Sequence, residues 1–141
     1  MILGVMAMSL FACGKESSEN KENTQSVTEQ VSSLKKKEIT YEQITPEKAK
    51  EIMDSEEDYV IIDSRTQEEY DQGHIAGAVM IPEYEIANRA EEEIPGKDTL
   101  ILVYCRSGRR SKIASQALVD LGYTNVKEFG GIIDWPYETV K

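Results

Sequence analysis

The chain has 141 residues, which is enough for one domain of ordinary size with an extension and too few for two full domains. Its 26 acidic and 16 basic side chains give a net charge of −10, which argues against the basic surface that a nucleic-acid partner requires. The chain contains two cysteines, Cys13 and Cys105, and one histidine, His74. Because a structural zinc site needs about four such ligands, we expect neither a metal site nor another cofactor.

The first twelve residues (MILGVMAMSLFA) form an uncharged apolar run. A helix needs about 20 residues to span a bilayer, so this run is too short to cross one, but its length suits the apolar region of a signal peptide. It ends in Leu10-Phe11-Ala12-Cys13, which resembles the lipobox of bacterial lipoproteins, where a small residue precedes the cysteine that becomes lipidated. The alternative is a buried N-terminal strand or helix.

A polar stretch follows at positions 15–33 and contains almost no large apolar side chain. Such a stretch does not bury enough surface to offset the entropy lost on ordering. We therefore expect a signal peptide at 1–12, a lipidated Cys13 with a disordered tether at 13–37, and a folded domain at 38–141. This organisation predicts an extracytoplasmic bacterial lipoprotein that is anchored at the cell membrane or at the periplasmic face.

The folded part alternates between strand and helix patterns. Strands are predicted at 39–41, 59–62, 78–81, 100–104 and 126–129. Helices are predicted after the N-cap Thr45 and Pro46, after a capping box at Thr66 and Glu69, at 84–90, and at 110–121. The last helix is expected to turn four apolar residues toward the core, namely Ile113, Ala117, Leu118 and Leu121.

This alternation predicts an α/β fold with a mostly parallel sheet that helices cover on both faces. The run 100–104 (LILVY) is the strongest signal for a buried strand, and it leads directly into Cys105. Ligands of such folds bind at the carboxyl ends of the strands. Cys105 is therefore located where a site is expected.

The segment Cys105-Arg106-Ser107-Gly108-Arg109-Arg110-Ser111 lies between this strand and a predicted helix. The helix N-terminus supplies partial positive charge and unpaired N–H groups, three arginines add charge, and Gly108 permits a tight loop. A thiolate in such an anion-binding cradle is expected to have a lowered pKa. The alternative is that Cys105 is a small buried hydrophobe, but core packing does not call for the flanking arginines.

The segment resembles the active-site loop of rhodanese-type sulfurtransferases. Positions 61–70 (IIDSRTQEEY) and 73–82 (GHIAGAVMIP) look like the first signature of that family, 104–111 (YCRSGRRS) like its catalytic loop, and 130–135 (GGIIDW) like its C-terminal signature. The resemblance covers about 39–135 and implies a parallel five-stranded sheet flanked by helices. Four residues separate Cys105 from Arg110. Related dual-specificity phosphatases of the cell-cycle type have one more residue there, so the phosphatase pattern fails.

The resemblance implies sulfur transfer by double displacement. Cys105 would take sulfane sulfur from an anionic donor such as thiosulfate and pass it, as a persulfide, to cyanide or a thiol. Backbone N–H groups of Arg106, Ser107, Gly108, Arg109 and Arg110 would bind the anionic sulfur, and the three arginines would attract the donor. A sulfur carrier or binding module with little turnover is the alternative. We expect a monomer.

Three further polar residues are expected to support the site rather than react. Asp63 and Arg65 follow a buried strand and are expected to brace the active-site loop through an ion pair or a hydrogen-bond network. His74 lies in a turn without companion ligands, so we interpret it as a hydrogen-bonded turn residue. Trp135 and Tyr137 are expected to pack.

Overall fold

The computed structural model describes residues 40–141. The predicted signal peptide, the lipidation of Cys13, the polar tether and the first residue of the predicted strand at 39–41 lie outside the described residues. Within 40–141, no helix is long and apolar enough to cross a membrane.

Five parallel strands form one sheet with the order β1-β5-β4-β2-β3. The strands are β1 (Glu42–Gln43), β2 (Tyr59–Asp63), β3 (Val79–Met80), β4 (Leu100–Cys105) and β5 (Val126–Gly131). The helices are α1 (Pro46–Ser55), α2 (Gln67–Gln72), α3 (Ile86–Glu93) and α4 (Arg109–Asp120), and a 3₁₀ turn follows at Ile132–Asp134. The predicted α/β class and the parallel five-stranded sheet are confirmed.

The central strands β2 and β4 are buried on both faces, and their side chains alternate between two hydrophobic layers. Ile61 and Leu102 point into the layer that also holds Tyr104, Phe129 and Trp135. On the opposite face, the second layer gathers Ile62, Ile101, Val103, Ile86, Ala90, Ala114, Leu118 and Tyr123. This double burial explains why both strands are continuous apolar runs in the sequence.

Side-chain caps define the starts of two helices. The Thr45 hydroxyl accepts a hydrogen bond from the Lys48 N–H and begins α1, with Pro46 in its first turn. Thr66 and Glu69 form the expected capping box at α2. By contrast, the N-cap residue of α4 is Gly108, which has no side chain to cap the helix, so the first N–H groups of α4 remain available to other acceptors.

Two expectations about individual elements were wrong. The first strand comprises Glu42 and Gln43 rather than 39–41, because this exposed edge strand is fixed by backbone pairing with β5 and carries no hydrophobic signal.

The side chain of Ile113 is 48% exposed and does not face the core. The buried face of α4 instead carries Ser111, Ala114, Ser115 and Leu118. Its two serines conceal the helical periodicity from a hydrophobicity pattern.

Candidate active site

Cys105 is the last residue of β4 and is 1% exposed. Because parallel strands end at the same edge of a sheet, Asp63 at the end of β2 and Gly131 at the end of β5 lie at this edge too. Cys105 is the only cysteine among residues 40–141, and it is a free thiol. The topology thus positions a single buried sulfur at the carboxyl end of the sheet, directly before the start of α4.

The loop after Cys105 turns its backbone toward the sulfur. Gly108 has φ +103, a left-handed conformation that other residues adopt only with strain. In this conformation, the Gly108 N–H donates a hydrogen bond to Cys105 Sγ over 3.0 Å. The hydroxyl oxygen of Ser111, in the first turn of α4, lies 3.4 Å from Sγ. The start of α4 and one glycine therefore direct hydrogen-bonding groups at the sulfur, at the place where the sequence predicted an anion-binding cradle.

Burial alone would raise the pKa of the Cys105 thiol, but hydrogen bonds outweigh burial and lower the pKa below its ordinary value. They come from the Ser111 side chain and from the backbone N–H groups of Ser111, Gly108 and Ser107. The expected direction of the shift is thus found, and local hydrogen bonds are its main cause. The charges of Arg110 and Cys105 also interact, but Arg106 and Arg109, whose field was expected to contribute, are not among the causes.

The three arginines of the loop differ in what they contact. Arg106 and Arg109 are exposed at the surface. Arg110 is half-buried, and its two terminal nitrogens hold the Glu69 carboxylate at 2.7 and 2.8 Å. This bidentate pair fixes the Arg110 guanidinium, so Arg110 is placed to close the loop. The side chains of Arg106 and Arg109 are exposed to solvent instead.

The end of β5 lies directly beneath the loop. A Cβ at Gly131 would lie 2.0 Å from the carbonyl oxygen of Arg106 and 2.5 Å from the Cα of Ser107. The same Arg106 carbonyl accepts a hydrogen bond from the Ile133 N–H over 3.2 Å. Only glycine permits this approach, so the packing of the loop requires the second glycine of the Gly-Gly pair before the 3₁₀ turn.

Asp63 and Arg65 form a buried ion pair below the site. The Arg65 Nε and one terminal nitrogen donate to the Asp63 carboxylate over 2.9 and 2.7 Å, and the same terminal nitrogen donates to the Gly73 carbonyl over 2.7 Å. The Tyr104 hydroxyl, one residue before Cys105, donates to Asp63 over 2.7 Å. It also accepts from the Ile75 N–H over 3.1 Å. The network thus connects the ends of β2 and β4 with the segment before β3.

Comparison with known proteins decides the family, since the rhodanese-like domain matches residues 45–136, more than half of the chain. The chain belongs to the rhodanese-like family. It is 40% identical over 80 residues to a thiosulfate sulfurtransferase, PspE, of Escherichia coli, and the match covers 57% of this chain and 77% of that protein. It is also 37% identical over 98 residues to a putative sulfur carrier protein, YrkF, of Bacillus subtilis, and that match covers 69% of this chain and 52% of that protein.

Solved structures support the same assignment. A rhodanese with anions from E. coli superposes with a TM-score of 0.56 at 38% identity, and the match covers 59% of this chain and 98% of that one. These relatives support rhodanese-type sulfur transfer as the general activity of the family to which this chain belongs.

In this rhodanese-like domain, His74 is hydrogen-bonded as expected, but it lies in an isolated antiparallel bridge with Val140 rather than in a turn. Its Nδ1 lies 2.9 Å from the Tyr70 carbonyl oxygen, and its ring stacks on the Tyr70 ring at a centroid distance of 3.6 Å. Its backbone pairs with Val140 through two hydrogen bonds. Trp135 and Tyr137 pack against each other edge to face. Among residues 40–141, no group of three or more side chains could hold a metal ion.

Sequence reasoning missed three residues of the rhodanese-like site. Glu69 was recognised as a helix cap but not as the partner of Arg110. Ser111 was recognised only as part of the loop motif, and Glu128 in β5 was not singled out at all. Glu128 is 3% exposed and lies 2.6 Å from the Ser111 hydroxyl. One feature of the sequence could have revealed Glu128: it is an acidic residue on the same face of β5 as the buried Val126.

Proposed function

We propose that this domain transfers sulfane sulfur from an anionic donor such as thiosulfate to a thiophilic acceptor through a persulfide on Cys105. The observation that supports this most directly is the hydrogen bonding of the sulfur. A buried thiol that receives N–H hydrogen bonds at a helix start, and whose pKa lies below its ordinary value, ionises more readily to the nucleophilic thiolate.

The transfer takes two displacements. The Cys105 thiolate attacks the outer sulfur of thiosulfate, the S–S bond of the donor breaks, and sulfite leaves with the bonding electron pair. The enzyme then carries a Cys105 persulfide. Cyanide or a thiolate attacks the outer sulfur, the persulfide S–S bond breaks, and Cys105 is restored as a thiolate.

The loop residues divide these tasks. The N–H groups of Ser107, Gly108 and Ser111 stabilise the anionic sulfur through each step. The exposed arginines, Arg106 and Arg109, attract the anionic donor and offset the repulsion from a chain whose net charge is −10.

The remaining polar residues keep the loop in position. Arg110 fixes the loop through Glu69, and Asp63 and Arg65 hold the strand ends below it. His74 braces the segment before β3 through its contacts with Tyr70 and Val140. Within the described residues none of these side chains has a hydrogen bond to Cys105, so their proposed role is support.

Mass spectrometry of the full chain tests the proposal. A Cys13→Ala background leaves Cys105 as the only thiol, so any sulfur that is taken up can be assigned to it. Treatment with thiosulfate should add the mass of one sulfur atom, and cyanide should then remove it and yield thiocyanate. The same chain with Cys105→Ser is the control, and sulfur uptake by that variant would refute the proposed role of Cys105.

A sulfur carrier is the second candidate, and it is favoured by the similarity to the putative carrier of B. subtilis. Both functions need the same persulfide, so sulfur uptake alone does not separate them, and its removal by cyanide has to be followed. Steady-state turnover separates the two functions. Catalytic thiocyanate formation with thiosulfate and cyanide supports the transferase, whereas a single stoichiometric sulfur that resists cyanide and passes only to a partner protein supports the carrier.

We further propose that Cys13 is lipidated and that positions 13–37 tether the domain to the outer side of a bacterial membrane. This rests on the uncharged run before Cys13 and on the polar composition after it. Because the family match begins only at residue 45, the tether lies outside the matched domain.

A further inference from the structure

A carboxylate is buried beneath the reactive sulfur, and the two displacements do not use it. Glu128 is 3% exposed and belongs to β5, the neighbour of β4 in the sheet. Its Oε1 accepts hydrogen bonds from the Gly130 N–H over 2.8 Å and from the Ser111 hydroxyl over 2.6 Å. Burying a carboxylate costs free energy unless hydrogen bonds compensate it, so the contacts of Glu128 with the site residues contribute to holding it there.

Ser111 connects this carboxylate to the sulfur. Its hydroxyl oxygen lies 2.6 Å from Glu128 Oε1, 3.0 Å from the Gly108 carbonyl oxygen and 3.4 Å from Cys105 Sγ. A hydroxyl has one proton to donate. The two oxygens are acceptors, and a thiolate is an acceptor as well, so these groups compete for the same proton. The carboxylate makes the shortest of the contacts.

We propose that Glu128 is a positioning residue that restrains Cys105 through Ser111. In the resting state, the Ser111 proton is donated to Glu128, and the Cys105 S–H donates to the Ser111 oxygen. When the thiol releases its proton to solvent, the Ser111 hydroxyl turns, its bond to Oε1 breaks, and a bond to the anionic sulfur forms. Glu128 thereby keeps a larger fraction of Cys105 in the neutral thiol form. This inference rests on the proposed sulfur transfer only for its consequence during turnover.

Two effects act in the same direction. The carboxylate competes for the hydroxyl proton that would stabilise the thiolate, and its negative charge repels the second negative charge on sulfur. Both therefore limit how far the loop can lower the pKa of Cys105. Such a restraint leaves less thiolate exposed to oxidants while the enzyme waits for a donor.

Other charged groups surround the pair. Lys112 of α4 and Asp134 of the 3₁₀ turn line a cavity of about 330 Å³ that Glu128 also lines. On the other side, the charge of Cys105 raises the pKa of Arg110, after the larger effect of Glu69. Neither Lys112 nor Asp134 has a hydrogen bond to Ser111 in the described residues, so only Glu128 among these charged groups competes directly for its proton.

The test is the pH dependence of thiol alkylation by iodoacetamide, measured on the full chain in the Cys13→Ala background. In Glu128→Gln, the amide oxygen still accepts the Gly130 N–H, but a neutral acceptor competes less strongly for the Ser111 proton. The midpoint of alkylation should move down by about one pH unit, so that the rate on the acidic side rises about tenfold. A midpoint that stays in place or moves up would overturn the proposal.

Two further variants separate competition at Ser111 from a general effect of charge. Asp134→Asn removes a carboxylate that lines the same cavity without a hydrogen bond to Ser111, and it should shift the midpoint much less. In a Ser111→Ala background, the effect of Glu128→Gln should shrink to its through-space part, and an undiminished effect would show that Ser111 is not the intermediary. Because alkylation needs neither donor nor acceptor, failure of the sulfur-transfer assay would leave this result intact.

Discussion

The Glu69 carboxylate binds Arg110 at the start of α4 and caps α2 at the same time. Its Oε2 lies 2.7 Å from Arg110 Nη1 and 3.1 Å from the Thr66 N–H, so one side chain ties the active-site loop to a helix cap 41 residues earlier in the chain. The Arg110 hydrogen bond is the main reason that the pKa of Glu69 falls to about 2.

Glu69→Gln should destabilise the domain by about 1–2 kcal/mol at neutral pH, because a charged bidentate pair and part of a cap are lost. Since the folded pKa of Glu69 is lowered to about 2, its contribution is fully present above the ordinary carboxyl range and is lost as the pH falls toward 2. Urea unfolding at several pH values should show wild type and variant converging in acid. Glu68→Gln, a neighbouring exposed carboxylate, is the control, and an equal loss there would contradict the assignment.

The exposed arginines should affect donor capture rather than thiol ionisation. Arg106→Ala combined with Arg109→Ala should raise the KM for thiosulfate about tenfold, and less at high salt, because steering of an anion is screened. The alkylation midpoint of Cys105 should barely move, since neither arginine is among the causes of its lowered pKa. Lys48→Ala, an exposed cation of α1, is the control. A large shift of the midpoint would restore the arginines as the source of thiol activation.

Gly131→Ala should displace the active-site loop. The new Cβ would overlap the Arg106 carbonyl oxygen, so the loop must move, with a loss of about 1–3 kcal/mol in stability and more than about tenfold in turnover per folded molecule. Leu118→Ala provides the comparison, because it opens a cavity in the core at a cost of about 2–5 kcal/mol without touching the loop. If both variants lose turnover only in proportion to unfolding, the close approach of β5 has no special role.

Within the buried network of Asp63, Arg65 and Tyr104, loss of the Asp63 charge should destabilise the domain more than loss of the Tyr104 hydroxyl. Tyr104→Phe removes one hydroxyl and leaves the ion pair, at a cost of about 1–2 kcal/mol. Asp63→Asn leaves the Arg65 guanidinium buried without its counter-charge, at a cost of about 3–5 kcal/mol. Chemical denaturation gives both values, and the reverse order would show that the pair is better solvated than its burial indicates.

The anchor is tested by fractionation of cells that express the full chain. We expect wild type in the membrane fraction and Cys13→Ala in the soluble fraction, because two or more acyl chains hold a protein at a bilayer. Mass analysis of the N-terminal peptide should find a modified Cys13. An unmodified Cys13 on a wholly soluble protein would end the lipoprotein hypothesis and leave the sulfurtransferase proposal unaffected.

The sequence predicted the fold where a hydrophobic pattern was sufficient. The central strands are apolar because both faces are buried, and Thr45 and Thr66 indicate the starts of their helices through cap chemistry. The edge strand β1 carries no such signal, since its position depends on pairing with residues 85 positions away, and it was misplaced. Ile113 was misassigned because serines occupy the buried face of α4.

The candidate site followed the same division. Cys105, Gly108 and the arginines lie together in one loop, so a single sequence segment was enough to propose them. The contacts of Glu69 and Glu128 with that loop bridge 41 and 17 residues, and a single sequence does not reveal such pairs. Acidic residues are abundant in this chain, which made the one buried carboxylate of β5 inconspicuous.

Both edges of the sheet are only two residues long, at β1 and at β3. An edge of that length presents too few free backbone groups to template the addition of a strand from another molecule. Glu42 of β1 is also paired with Lys127, which places charge along the same border. The long strands that would aggregate most readily are those in the interior, so the domain can be crowded at a surface without recruiting its neighbours into a shared sheet.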